Sequence, residues 1–249
     1  DRSVNESPLG KTNVIYQYDW NGKKLTNPIL RKEMPALTSN HHGGVITIGL
    51  NDEIYFVIGD QEQHTTFQNI PVDTIYETGS IFKIDTESNN TVELFAMGIR
   101  NSFGLAVDPV TGYLWETENG PDKFDEINLV KPRFNSGWNG VMGPADRIDF
   151  DLSTLNPKPF ENFVYSDPEF SWYKTVAPTA IAFPDKDRSS FSRYSDWLFV
   201  GDFNNGRIYK FQLNADRTGF VFSNPDLLDL VLDDNDEINE ILFAKGFQG

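Results

Sequence analysis

No cysteine occurs among the 249 residues. That excludes disulfides, thiolate metal sites and a cysteine nucleophile. It leaves an oxidising compartment open, because a large core needs no staples. The sequence also lacks any apolar run of about 18 residues, so no membrane-spanning helix is expected. Basic residues are scarce: 21 Lys and Arg stand against 37 Asp and Glu, a formal net charge of −16. Such a field repels phosphate backbones and anionic lipid surfaces. Nucleic acid and membrane partners are disfavoured, while neutral sugars and cations such as Ca2+ stay compatible. Amphipathic helices are missing too, apart from a turn or two expected between Asp226 and Ile241.

What is present is a strand pattern. Hydrophobic residues make up 39% and aromatic residues 14%, enough for a core and rich in strand formers. Val14-Ile15-Tyr16-Gln17-Tyr18 reads as a strand. So do Val45-Ile46-Thr47-Ile48 and Ile54-Tyr55-Phe56-Val57-Ile58, joined by the polar turn Gly49 to Glu53. This unit, a strand, a turn and a strand ending in an acid, runs from Gly44 to Asp60. A second copy runs from Gly104 through Gly112-Tyr113-Leu114-Trp115 to Glu118. A third runs from Thr179 to Asp202. Each copy is followed by a further strand: Gly79 to Ile84, Asp125 to Val130 and Gly206 to Phe211. Repeats of this size predict an all-β fold, a β-propeller with four-stranded antiparallel blades. Three copies and a half-blade close no ring easily. Asp1 enters a strand almost at once and Gly249 stops where another blade is due. The chain, 1–249, is therefore expected to be one propeller domain cut at both ends, with companion segments or subunits completing the ring.

Three motifs sit at blade edges. Asn40-His41-His42-Gly43-Gly44 leads into the first repeat. Adjacent side chains on a strand point to opposite faces, so one His is expected to line a site and the other to pack elsewhere. Gly98-Ile99-Arg100-Asn101-Ser102-Phe103-Gly104 places an Arg at the start of an inner strand. Its planar fork suits a carboxylate or quinone oxygen, and the bland alternative is a surface ion pair. Glu118-Asn119-Gly120-Pro121, followed by Asp125-Glu126, makes a turn whose oxygens suit Ca2+; the alternative is an ordinary loop.

In this order and spacing the motifs resemble the glucose/sorbosone dehydrogenase family, soluble sugar dehydrogenases that use pyrroloquinoline quinone. The likeness runs nearly unbroken from His41 to Asn139 and includes Asn135-Ser136-Gly137-Trp138-Asn139. A looser likeness continues at Tyr173-Lys174-Thr175-Val176-Ala177-Pro178 and from Gly201 to Phe211. The resemblance implies a six-bladed ring of which this chain covers part. It implies oxidation of an aldose at the anomeric carbon to a lactone, with hydride passing to the quinone, in an extracellular or periplasmic setting. His41 then aligns with the general base and Asp60 with the acid that orients it. Arg100 and Asn101 align with residues holding the quinone oxygens. The carbonyls of Gly120 and Pro121 align with Ca2+ ligands, and Asp125 and Glu126 are candidates for a second, structural ion. Thr175 aligns with a cofactor contact, and Trp172 or Tyr173 with an aromatic beside the sugar. One departure stands out: Asn204 or Asn205 replaces a family Lys. The run Gly201-Asp202-Phe203-Asn204-Asn205-Gly206-Arg207-Ile208 also looks like the hedgehog-interacting-protein branch. The alternative is thus a non-catalytic propeller that binds a glycan or protein at the cell surface.

Overall fold

In a computed structural model that describes residues 12–36, 38–61, 78–86, 90–155, 160–185, 191–234 and 237–247, the period-two segments become strands. A hairpin of β1 (Thr12–Trp20) and β2 (Leu25–Pro35) comes first. The first blade is β3 (Ile46–Ile48), β4 (Ile54–Ile58), β5 (Ser80–Asp85) and β6 (Thr91–Met97), all antiparallel. The second begins with β7 (Ser102–Val107), β8 (Leu114–Glu118) and β9 (Lys123–Val130). The chain then returns to the outer edge of the first blade, adding β10 (Phe134–Asn135) and β11 (Val164–Tyr165) in parallel. β12 (Phe170–Lys174) completes the second blade. The third is β13 (Pro178–Ala182), β14 (Trp197–Asp202), β15 (Arg207–Gln212) and, after β16 (Val231–Leu232) has joined β12, β17 (Leu242–Lys245). Among the described residues the one α-helix is α1 (Ile238–Ile241), a single turn. The three sequence repeats are the first three strands of the three blades.

Packing explains why the strands are so apolar. The first two blades are covered on both sides, so both faces of β4 and β8 are buried, whereas β14 of the third blade buries alternate residues. On β4, Phe56 and Ile58 meet Met34 of the hairpin and Phe82. Tyr55 and Val57 point the other way, to Leu105, Leu114 and Phe134. On β8, Trp115 joins Phe170, Trp172, Leu198 and Phe211 in the layer between the second and third blades. Each such large side chain contributes roughly 1.5–3 kcal/mol on leaving water. The inner strands β3 and β13 both pack against β7, which fixes the row of blades. The outer faces of the row carry exposed apolar side chains: Tyr16, Tyr18 and Trp20 on the hairpin, Phe191 and Phe243 on the third blade.

Candidate active site

Antiparallel pairing puts the start of each inner strand beside the end of the second strand. The residues flanking those points therefore share one edge of the row. His41 precedes β3 and Asp60 follows β4. Arg100 and Asn101 precede β7, and Asn119 and Gly120 follow β8. Thr175 precedes β13, and Asp202 closes β14. Main-chain bonds stitch the edge together. Asp60 N donates to Arg100 O at 2.8 Å, Asn119 N to Asn101 O at 3.0 Å and Phe203 N to Ala177 O at 2.9 Å. Gly59 permits the closest approach: a Cβ there would lie 2.5 Å from His41 O and 2.7 Å from Arg100 O.

His41 and Asp60 form a pair, with Nδ1 and Oδ1 2.6 Å apart. A His Nδ1–H on a carboxylate fixes the tautomer that carries its basic lone pair on Nε2. His42 packs elsewhere. Its Nδ1 lies 3.0 Å from Asn13 Oδ1 and its Nε2 2.9 Å from Thr38 O. The divergence has a different origin from the one expected. Neither His lies on a strand; His41 has φ +54°, and that left-handed residue turns the two rings apart.

Arg100 is half-buried and reaches the backbone of the neighbouring turn. Its Nη1 donates to Asn119 O at 2.7 Å and to Gly120 O at 3.1 Å. Its backbone N–H donates to Glu118 Oε1, and Ser136 Oγ donates to Glu118 Oε2 at 2.7 Å. Burial, with Glu116 and Glu126 nearby, pushes the Glu118 carboxyl well above its usual range. Beside Arg100, the amide oxygens of Asn101 and Asn119 are buried without a hydrogen-bond partner among the described residues. Buried oxygens without donors are costly, so two of them at one edge mark a place prepared for a donor or a cation. A guanidinium on two carbonyls, with two further oxygens unmet, fits an anionic quinone held together with a hard cation.

The two acids after the turn, candidates for a second ion, are held in different ways. Asp125 and Glu126 point to opposite faces of β9. Asp125 accepts Gly120 N at 2.8 Å on one oxygen and the N–H groups of Val176 and Ala177 on the other. It is a strut that ties the Gly120 turn to the entry of the third blade. Burial keeps its carboxyl above the ordinary range despite these donors. Glu126 accepts Gly143 N, Asn128 Nδ2 and Ser136 Oγ. The two carboxylates do not converge, and among the described residues no group of three His, Asp or Glu is arranged to hold a metal. Gly120 O faces Arg100, while Pro121 follows on the exposed turn. Trp172 is fully buried in the layer between blades, among Phe170, Tyr209 and Phe211, and not at the edge. Tyr173 lies at the rim, its ring edge-on to Phe124 with Lys123 over it. Thr175 O accepts Asn204 Nδ2 at 3.3 Å, and Asn205 turns back onto Asp202.

Trp138, Asn119 and Glu118 also belong to the edge, although sequence reasoning gives none of them a role. Trp138 Nε1 donates to Asp60 Oδ2 at 2.6 Å, and Arg100 lies 5.4 Å over its ring. All three fall within the family-like motifs, but their partners are 78, 19 and 18 residues away in the chain.

Four-stranded antiparallel blades set side by side, with polar groups gathered at one edge, define a β-propeller with an edge site. The chain belongs to the glucose/sorbosone dehydrogenase family, whose model matches residues 3–230. It is 26% identical over 195 residues to an aldose sugar dehydrogenase of Escherichia coli, covering 75% of this chain and 52% of that protein. It is 32% identical over 169 residues to quinoprotein glucose dehydrogenase B of Acinetobacter calcoaceticus, covering 57% of this chain and 35% of that protein. The chain thus spans about half the length, or less, of these relatives. The fold superposes on the PQQ-bound form of an aldose sugar dehydrogenase from Streptomyces coelicolor with a TM-score of 0.59 at 22% identity, over 84% of this chain and 56% of that one. No helix among the described residues is long and apolar enough to cross a membrane.

Proposed function

We propose that this chain carries the catalytic edge of a quinoprotein aldose dehydrogenase acting outside the cytoplasm, in an extracellular or periplasmic setting. The observation that carries the reading is the meeting of a His41–Asp60 pair with Arg100 at one blade edge. His41 Nε2 takes the proton of the anomeric hydroxyl. Asp60 keeps the opposite ring nitrogen protonated and steadies the imidazolium that results. Pyrroloquinoline quinone, when bound, supplies the hydride acceptor and takes the sugar to its lactone. Arg100 and Asn101 would hold the oxygens of that cofactor, and Arg100 would offset negative charge on it. Thr175 and Tyr173 border it from the next blade. Gly120 O, with Pro121 beside it, would serve as a Ca2+ ligand, and the unmet amide oxygen of Asn119 belongs to the same turn. Further blades or companion segments cover the exposed faces at Trp20 and Phe243.

A second reading, a non-catalytic propeller that binds a glycan or protein, draws on Asn204 and Asn205. Asn204 bonds a backbone carbonyl and Asn205 its own turn, so neither brings a cation to the edge. One titration separates the two. Quinone and Ca2+ are added to the protein, the bound chromophore is read by absorbance, and an aldose is then supplied. The dehydrogenase reading expects a bound spectrum that the sugar bleaches and that chelation of Ca2+ removes. An unchanged spectrum of free quinone at every concentration favours the binding module.

A further inference from the structure

We propose that Trp138 is a positioning residue that locks the Asp60 carboxylate and so couples the His41 pair to Arg100. A carboxylate with one partner turns freely about its last bond. Asp60 is held at both oxygens: by His41 Nδ1 at Oδ1 and by the indole N–H of Trp138 at Oδ2, each at 2.6 Å. Indole is a donor only, so it can meet Asp60 only as an acceptor. The same ring lies under the Arg100 guanidinium at 5.4 Å. One side chain therefore fixes the orienting acid of the first blade and the cation of the second.

The arrangement is built, not incidental. Trp138 N donates to Gly98 O at 3.1 Å, two residues before Arg100. Gly137 has φ +103°, and a Cβ on it would lie 2.8 Å from the Tyr165 ring, so glycine is needed to aim the indole. Packing alone does not ask for the indole N–H. Trp115 and Trp172, both fully buried, leave theirs without a partner among the described residues. Trp138 is only half-buried beside Phe124, Met142 and Val231, yet its N–H is directed at a carboxylate.

The catalytic meaning of the lock rests on the dehydrogenase reading, while its spectroscopic test does not. In the cofactor-free protein the shared His41 Nδ1 proton should give a low-field NMR signal. Trp138→Phe keeps a ring under Arg100 and removes the donor. We expect the exchange of that proton with water to quicken about tenfold, the worth of one bond to a charged acceptor. The melting temperature should move by only a few degrees. Trp138→His, which keeps a ring N–H, should restore much of the protection. If Trp138→Phe does not fold, Asp60→Asn tests the same bond from the other side, since one of the indole N–H signals must then move. In turnover, Trp138→Phe should lower kcat about tenfold with KM nearly unchanged. An unaltered His41 proton in Trp138→Phe, or no indole signal moved by Asp60→Asn, overturns the proposal. A wild type without turnover sinks the dehydrogenase reading and leaves the lock standing.

Discussion

At the scale of single residues, the repeated acid shows how little residue type decides. Asp60, Glu118 and Asp202 close the second strand of three successive blades. Asp60 takes the His41 ring and Glu118 takes the Arg100 backbone N–H. Asp202 takes its own turn, through Asn205 and Arg207 N–H groups and the Tyr209 hydroxyl. Only the first has an imidazole to orient, and that depends on His41 holding φ +54°. His tolerates the left-handed region better than most residues, but at some cost in strain. On the dehydrogenase reading, His41→Gln should lower kcat by about 10²–10⁴-fold, the usual range for a lost general base, with KM little altered. Asp60→Asn should follow with a smaller loss, since the base persists without its orienting charge. Steady-state rates of the reconstituted enzyme decide this; a His41→Gln variant within about twofold of wild type would remove the base from His41.

At the scale of the element, the second blade has a feature that periodicity alone misreads. Leu114, Glu116 and Glu118 of β8 all face the first blade, and Glu116 and Glu118 pair across the ladder with Asn128 and Glu126. Their carboxyls are fully buried. Burial first, then the charge of Glu126, pushes Glu116 up to about 8, and burial pushes Glu126 up to about 7. The folded protein thus holds protons that the unfolded chain releases near 4.5. Stability from this layer is complete below that value and drains away as pH rises towards 8. Glu116→Gln, which keeps an oxygen for Asn128, should raise the melting temperature by about 3–8 °C at pH 8 and leave it nearly unchanged at pH 4.5. Equal effects at both pH values would mean that Glu116 is ionised in the fold. The strands are legible in the sequence because β4 is apolar on both faces and β8 and β14 alternate apolar with polar or half-exposed residues. The edge is legible because short local motifs carry His41, Arg100 and Gly120. The outer strands β6, β12 and β17 do not stand out, since their burial is mixed, and β10, β11 and β16 are only two residues long. Nor could spacing reveal that backbone N–H groups occupy Asp125, or that Trp138 reaches Asp60.

At the scale of the whole molecule, one contact ties blades together at the edge opposite the site. Asp108 lies in the β7–β8 turn, and Arg217 lies beyond β15, 109 residues on. Arg217 Nε donates to Asp108 Oδ2 at 2.7 Å and its Nη2 to Oδ1 at 2.8 Å, while Nη1 reaches Asp196 at 3.0 Å. The guanidinium also lies 5.9 Å from the Phe183 ring. Thr111 Oγ1 and Val110 N add two more donors to Asp108. Burial alone would push the Asp108 carboxyl up; the bonds from Arg217, Thr111 and Val110 outweigh it and hold the group below its ordinary range. The sign is opposite to that of the Glu116 layer. This contribution is complete above the unfolded value of 3.8 and is lost as pH falls through the lower folded value. Arg217→Ala would leave Asp108 buried without a counter-charge, so it should cost about 3–5 kcal/mol in urea unfolding at pH 7. Arg217→Lys keeps the charge but not the two-pronged geometry, and should fall between. A double replacement, Asp108→Leu with Arg217→Leu, removes both charges together and should recover much of the loss, because the penalty lies in the orphaned carboxylate. The clamp sits away from His41 and Arg100, so quinone affinity should survive in any variant that remains folded. An Arg217→Ala midpoint matching wild type would mean that the apolar layer of Trp115, Phe170 and Phe211 and the Asp125 strut join the second and third blades without the clamp.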